Sequence, residues 1–169
     1  NAESLIYPFG LNESQKKAVE NAFSNQISVI KGPPGTGKTQ TILNIIANII
    51  LRGKTVLVVS NNNSATINVF DKLAKYDMGF IVAPLGKKEN KEVFLKNQPT
   101  YPDKLSTWSC QLIEKINKEK EIQSIISRLD EIFVLQEELA LYKQELQAVD
   151  LEWKHFMLEQ NIPLFPFRL

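Results

Sequence analysis

Residues 27–39 read Ile27-Ser28-Val29-Ile30-Lys31-Gly32-Pro33-Pro34-Gly35-Thr36-Gly37-Lys38-Thr39. The last eight satisfy every fixed position of the phosphate-loop pattern G-x-x-x-x-G-K-[ST] (Walker A). A chain of phosphates needs a concave run of main-chain N–H groups, and glycine lets the backbone wrap that closely. A helix opening directly behind the loop adds the partial positive charge of its N-terminus. In this reading Gly32, Pro33, Pro34, Gly35, Thr36, Gly37, Lys38, Thr39 and Gln40 form a nucleotide seat. Lys38 reaches the terminal phosphates, and the Thr39 hydroxyl is offered to Mg2+. Lys38 and Thr39 are therefore the candidate catalytic residues, and Thr39 the candidate metal ligand.

Outward from the loop, the pattern predicts alternating elements. Asn12-Glu13-Ser14-Gln15 reads as a helix start, with Asn12 as cap and Gln15 reaching back. Ala18, Val19, Ala22 and Phe23 then give that helix one apolar face. Residues 27–30 read as a short buried strand, and 38–51 as an isoleucine-rich helix stopped by Arg52-Gly53. Its apolar run is broken only by Asn44 and Asn48. Residues 55–59 read as a second buried strand, 64–75 as a helix and 80–83 as a third strand. This order predicts an α/β fold, a parallel sheet with helices on both faces. Residues 87–98 carry four lysines among which stand Glu89 and Glu92; the stretch reads as a helix or a loop, and a surface helix laced by ion pairs is favoured over a phosphate track along Lys87, Lys88, Lys91 and Lys96.

The texture changes after Pro99 and Pro102. Residues 103–162 contain neither glycine nor proline, and apolar residues recur there at steps of three and four. Ile122, Ile125, Leu129 and Ile132 lead, after one slip, into Leu135, Leu139, Tyr142, Leu146, Val149, Trp153 and Phe156. One helix over 105–160 would reach roughly 84 Å, so a coiled-coil hairpin or stalk is expected, with the slip as a turn or local unwinding. The expected layout is thus a phosphate-loop portion over 1–102, a helical coiled-coil segment over 103–162 and a tail over 163–169.

Charge divides the same way. Residues 1–100 hold 12 Lys and Arg against 7 Asp and Glu, and residues 101–169 hold 8 against 12. The basic front suits a polyanion as well as it suits ordinary solvated surface. One cysteine, Cys110, excludes an intrachain disulfide and fits a reducing, cytoplasmic setting. With one His, His155, a zinc site is not expected. No apolar run approaches the roughly 18 residues of a membrane span. The chain opens Asn1-Ala2-Glu3-Ser4 without methionine and reads as a piece of a longer protein.

Three motifs in order carry a family resemblance. Leu11-Asn12-Glu13-Ser14-Gln15 resembles the Q motif of superfamily 1 helicases. Residues 32–39 are similar to motif I of their Upf-like branch, and Val56-Leu57-Val58-Val59-Ser60-Asn61-Asn62-Asn63-Ser64-Ala65 resembles motif Ia. The resemblance implies a partial RecA-like domain that binds ATP with Mg2+ and acts as an ATP hydrolase on DNA or RNA. It implies that Gln15 reads the adenine edge, with Tyr7 or Phe9 against the base. It also implies that Asn63 and Thr66 touch a single-stranded nucleic acid backbone. Where relatives often carry Ala-Pro-Ser before that asparagine, this chain has Ser60-Asn61-Asn62. The 103–162 segment sits where such helicases carry an insertion.

Hydrolysis also requires an acidic pair at a strand end, the Walker B motif. Asp130-Glu131 falls inside the heptad pattern and reads as helical surface. The piece is therefore expected to bind nucleotide without turning it over. Self-association is expected through the helical region or a cut sheet edge. Two rival classes share a phosphate loop: an AAA+ remodelling ATPase and an SMC-like structural ATPase with coiled coil. The upstream glutamine motif and motif Ia count against both.

Overall fold

The computed structural model describes residues 4–86, 88–97 and 101–160. Five α-helices run in chain order: α1 Glu13–Ser24, α2 Lys38–Leu51, α3 Asn63–Ala74, α4 Lys88–Lys96 and α5 Leu112–Glu159. Short 3-10 turns occupy Gly79–Ile81 and Asp103–Trp108. The chain divides into two compact units, Asn1–Glu119 and Lys120–Leu169.

The first helix starts where its cap dictates. The Asn12 side chain accepts from the Gln15 amide at 2.9 Å, and the Gln15 side chain accepts from the Asn12 amide at 3.0 Å. This reciprocal box satisfies two N–H groups that a helix start otherwise leaves open. At its other end α2 stops on Gly53, at φ 66. There Gly53 donates to the Ile50 carbonyl and Lys54 to that of Ile49, a left-handed closure that glycine makes without strain.

The first unit's core is helical. Leu43 and Ile46 of α2 meet Val69 and Leu73 of α3, with Phe9, Ile42, Met78 and Val82 packed around them. Val19 buries the face of α1, which packs on α2. Arg52 stacks its guanidinium 4.4 Å from the Phe23 ring centre, a second tie between α1 and α2. Phe80 gathers Tyr101 and Trp108 at ring separations of 6.3 and 6.0 Å.

The predicted parallel sheet is not seen. Among the described residues no strand forms, so the α/β assignment is corrected to a helical arrangement. Residues 27–30 and 55–59 lie between helices without ladder partners, and 79–81 turn into a 3-10 helix. An apolar run says that a segment avoids water; a strand exists only where a second backbone answers its N–H and C=O groups. Exposure over 56–59 still alternates as in an extended chain. Val56 and Val58 are 39% and 37% exposed, while Leu57 and Val59 are 83% and 78% exposed. All four residues remain exposed, two of them much more than the others.

Of the two forms expected for the helical segment, hairpin or stalk, no hairpin turn falls at the slip. Helix α5 runs 48 residues without a break through the slip at 132–135, so the slip is no turn. In its first turn Lys118 bonds Glu114 at 2.7 Å and, with Cys110, holds that carboxyl below its ordinary range. Of the helix and the loop open for residues 87–98, Lys88–Lys96 takes the helix. Lys87 and the tail over 163–169 lie outside the described residues.

What the sequence reading passed over is the role of the two asparagines in α2. Both are fully buried. Asn48 accepts from the Ile6 amide at 2.9 Å and donates to the Ile6 carbonyl at 2.6 Å and the Asn44 carbonyl at 2.8 Å. Asn44 accepts from the Phe9 amide at 3.1 Å and donates to the Gly10 carbonyl at 2.9 Å. One turn earlier, Gln40 donates to the Phe9 carbonyl at 3.3 Å. Side chains four residues apart share one helix face, so α2 presents an amide row that serves the main chain of 6–10. Asn48→Leu keeps the branching of the side chain, adds the bulk of two methyls and strands the half-buried Ile6 N–H and C=O. Each buried unpaired group costs about 1–3 kcal/mol. The expected loss is therefore about 2–4 kcal/mol by urea unfolding, with new protease sensitivity near residue 6.

Candidate phosphate-loop site

The loop closes on itself before it meets any ligand. Gly35 and Gly37 take left-handed conformations, at φ 86 and 78. Gly37 is the residue from which α2 springs, and no side chain caps that first turn. Its leading N–H groups are therefore left for water or an anion. The Thr36 hydroxyl donates to the Pro33 carbonyl at 2.9 Å. The Lys38 ammonium donates to the carbonyls of Gly32 and Pro33 at 2.6 and 2.8 Å. The cation thus rests on neutral oxygens of the loop it would share with phosphate.

Gln15 braces the loop from the side. Its carbonyl oxygen is held by the Asn12 amide, and its Nε2 donates to the Thr36 carbonyl at 3.0 Å. A Cβ placed on Gly37 would fall 2.1 Å from that Nε2 and 2.9 Å from the Gln40 amide oxygen. Gly37 is thus needed twice, for its φ and for the space that Gln15 fills. Gly32 is tight as well, since a Cβ there would lie 2.7 Å from the Thr36 hydroxyl. An open cleft of about 410 Å³ adjoins the loop, lined by Gln15, Asn21, Val29, Lys31, Thr36 and Lys38 among others.

The other candidate residues fall as follows. Thr39 is partly buried in the first turn of α2, and Pro33 and Pro34 lie on the exposed outer side of the loop. Among the described residues no three His, Cys, Asp or Glu side chains gather where a metal ion would sit. Phe9 packs on the core, edge-to-face with Tyr76 at 5.0 Å. Asn62 caps α3, accepting from the Ser64 amide at 3.0 Å, and leaves Asn63 exposed as the first helical residue. The Thr66 hydroxyl donates to the Asn63 carbonyl at 2.9 Å. Asp130 and Glu131 lie within α5. The capping box was the sequence signal for Gln15's position; its bond to Thr36 spans 21 residues and left no local mark.

A methyl at Gly35 would meet open space, so Gly35→Ala pays only for its left-handed backbone, about 1–2 kcal/mol. Gly37→Ala pays the same and also expels Gln15. It is expected to cost about 1 kcal/mol more by urea unfolding. Equal losses would show that Gln15 yields freely.

Residues 10–160 match the AAA domain family. The DNA polymerase alpha-associated DNA helicase A of Schizosaccharomyces pombe is 48% identical over 65 residues, 38% of this chain and 10% of that protein. The protein of the same name in Saccharomyces cerevisiae is 25% identical over 160 residues, 88% of this chain and 23% of its own length. A DNA replication ATP-dependent helicase/nuclease of Xenopus laevis is 35% identical over 125 residues, 73% of this chain and 10% of that protein. The chain therefore spans a tenth to a quarter of these relatives. No solved structure matches it. Among the described residues no helix is long and apolar enough to cross a membrane. With the three helicase motifs in order and the family match covering most of its length, the chain belongs to this AAA domain family, among the superfamily 1 helicases.

Proposed function

We propose that this chain is the ATP-binding part of an ATP-dependent helicase or translocase acting on a single strand of DNA or RNA. The observation that carries the reading is the closed turn at 32–37. Two left-handed glycines present the uncapped start of α2, with Lys38 folded over it. In this reading the ammonium leaves the carbonyls of Gly32 and Pro33 for phosphate oxygens, which carry charge and hold it better. Main-chain groups from Gly32 to Gln40 line the polyphosphate, and the Thr39 hydroxyl meets Mg2+. Gln15 retains one amide hydrogen and one oxygen lone pair beyond its bonds to Asn12 and Thr36. It can therefore meet an adenine edge while still bracing the loop. Similarity to proteins named as helicases favours this class over a remodelling or structural ATPase.

Asn63 and Thr66, one turn apart at the start of α3, are our candidates for sequence-independent contacts to the strand. With Asp130 and Glu131 committed to α5, we infer that the chain by itself binds nucleotide and does not turn it over. Its single cysteine fits a cytoplasmic setting.

Calorimetric titration with Mg-ATP tests the seat. Lys38→Ala removes a charged hydrogen bond of about 1.5–3 kcal/mol and is expected to weaken binding at least about tenfold. Steady-state hydrolysis by the chain should equal that of the same variant; turnover that Lys38→Ala abolishes would defeat the binding-only reading. In the full-length protein, Asn63→Ala should weaken single-strand binding evenly across sequences and flatten its salt dependence. A loss confined to one sequence would contradict a backbone contact.

A further inference from the structure

Two glutamine side chains meet over the bare α-carbon of Gly37. A Cβ built there would lie 2.1 Å from the Gln15 Nε2 and 2.9 Å from the Gln40 Oε1. The two atoms are therefore close neighbours of opposite kind, one a donor and the other an acceptor. Main-chain bonds decide which end of each amide stands there. In Gln15 the oxygen is turned to the Asn12 amide and the nitrogen is held at the Thr36 carbonyl. In Gln40 the nitrogen is held at the Phe9 carbonyl, which leaves the oxygen toward Gly37. Phe9 is itself fixed, since its amide donates to buried Asn44. Gln15 is buried and Gln40 exposed, so the donor stands at the wall of the loop and the acceptor at its rim.

A donor and an acceptor held side by side suit a ligand edge that carries an acceptor beside a donor. Adenine has that edge, with ring nitrogen N7 next to the N6 amine. Guanine has a carbonyl oxygen in place of the amine, so its edge offers two acceptors. The Gln40 oxygen would then face another oxygen, and neither could be satisfied by the other. Resting on the ATP seat proposed above, we propose that Gln40 is a base-specificity residue. Its Oε1 accepts from the adenine amine, while the Gln15 Nε2 donates to N7. Gln15 thereby reads half of the base edge, and its oxygen stays on the cap of α1.

The test is calorimetric titration of the full-length protein with Mg-ATP and Mg-GTP, and the readout is the ratio of the two affinities. The unaltered protein should prefer ATP at least about fivefold, the worth of one hydrogen bond. Gln40→Glu keeps an oxygen at the same place and should keep that preference, although its charge weakens both nucleotides. Gln40→Lys can still donate to the Phe9 carbonyl but offers the base only a donor, and it should shift the ratio toward GTP at least about fivefold. N6,N6-dimethyl-ATP, which has no amine hydrogen, should bind the unaltered protein about as weakly as GTP. Lys38→Ala should weaken ATP and GTP alike and leave the ratio unchanged. The inference is overturned, with the seat intact, if Gln40→Lys keeps the original ratio, if ATP and GTP bind the unaltered protein equally, or if the dimethylated nucleotide binds as ATP does. Failure of both nucleotides to bind the unaltered protein would instead overturn the seat, and this inference with it.

Discussion

The main chain of residues 6–10 runs half-buried beside α2, and two fully buried asparagine side chains of that helix need partners that only this main chain and the helix itself supply. Gln40, Asn44 and Asn48 resolve this by standing one turn apart on a single face and bonding the backbone of Ile6, Phe9 and Gly10. The opposite side of the same helix supplies Leu43 and Ile46 to the core. Its first residue is the lysine of the phosphate loop. One helix therefore fixes the entering chain, the core and the loop together. A buried amide is costly without partners and specific with them. The ladder thus sets one register for residues 6–10, where leucines would have allowed several.

Gln15 extends the same logic to the loop. Its amide has one end in the cap of α1 and the other on the Thr36 carbonyl, so the start of α1 and the turn of the loop move as one piece. Space for that bond exists only because residue 37 lacks a side chain. A glycine that the loop pattern explains by phosphate approach is also explained by the packing of a glutamine. The two demands do not compete, since both ask for a bare α-carbon at the mouth of α2.

The legible parts of the molecule were those whose cause is local. Asn12 and Gln15 announce their box within four residues, Gly53 announces the stop of α2, and the loop announces itself by spacing. The missed parts depend on what lies opposite. Residues 27–30 and 55–59 have strand composition, but composition does not supply a neighbouring backbone, and helices took the core instead. Asn44 and Asn48 looked like interruptions because their partners lie 35 and 42 residues back along the chain. The slip at 132–135 left a turn and a local unwinding both open, and α5 runs through it unbroken, since a change of register moves a stripe around a helix without breaking its hydrogen bonds.

Charge closes the argument about α5. The back of the chain is acidic, with 12 Asp and Glu over residues 101–169. Scattered, that excess would only solvate a helix. Four of those residues instead recur every seventh position along one border of an exposed apolar stripe. A phosphate backbone would be repelled by that row, and the apolar stripe offers it nothing, so nucleic acid is the wrong occupant for this face. An apolar seam gives affinity to any matching helix, and a one-sign border decides which helix. The acidic border of α5 and the basic front of the chain are thus two different surfaces, and charge alone keeps a polyanion off the first.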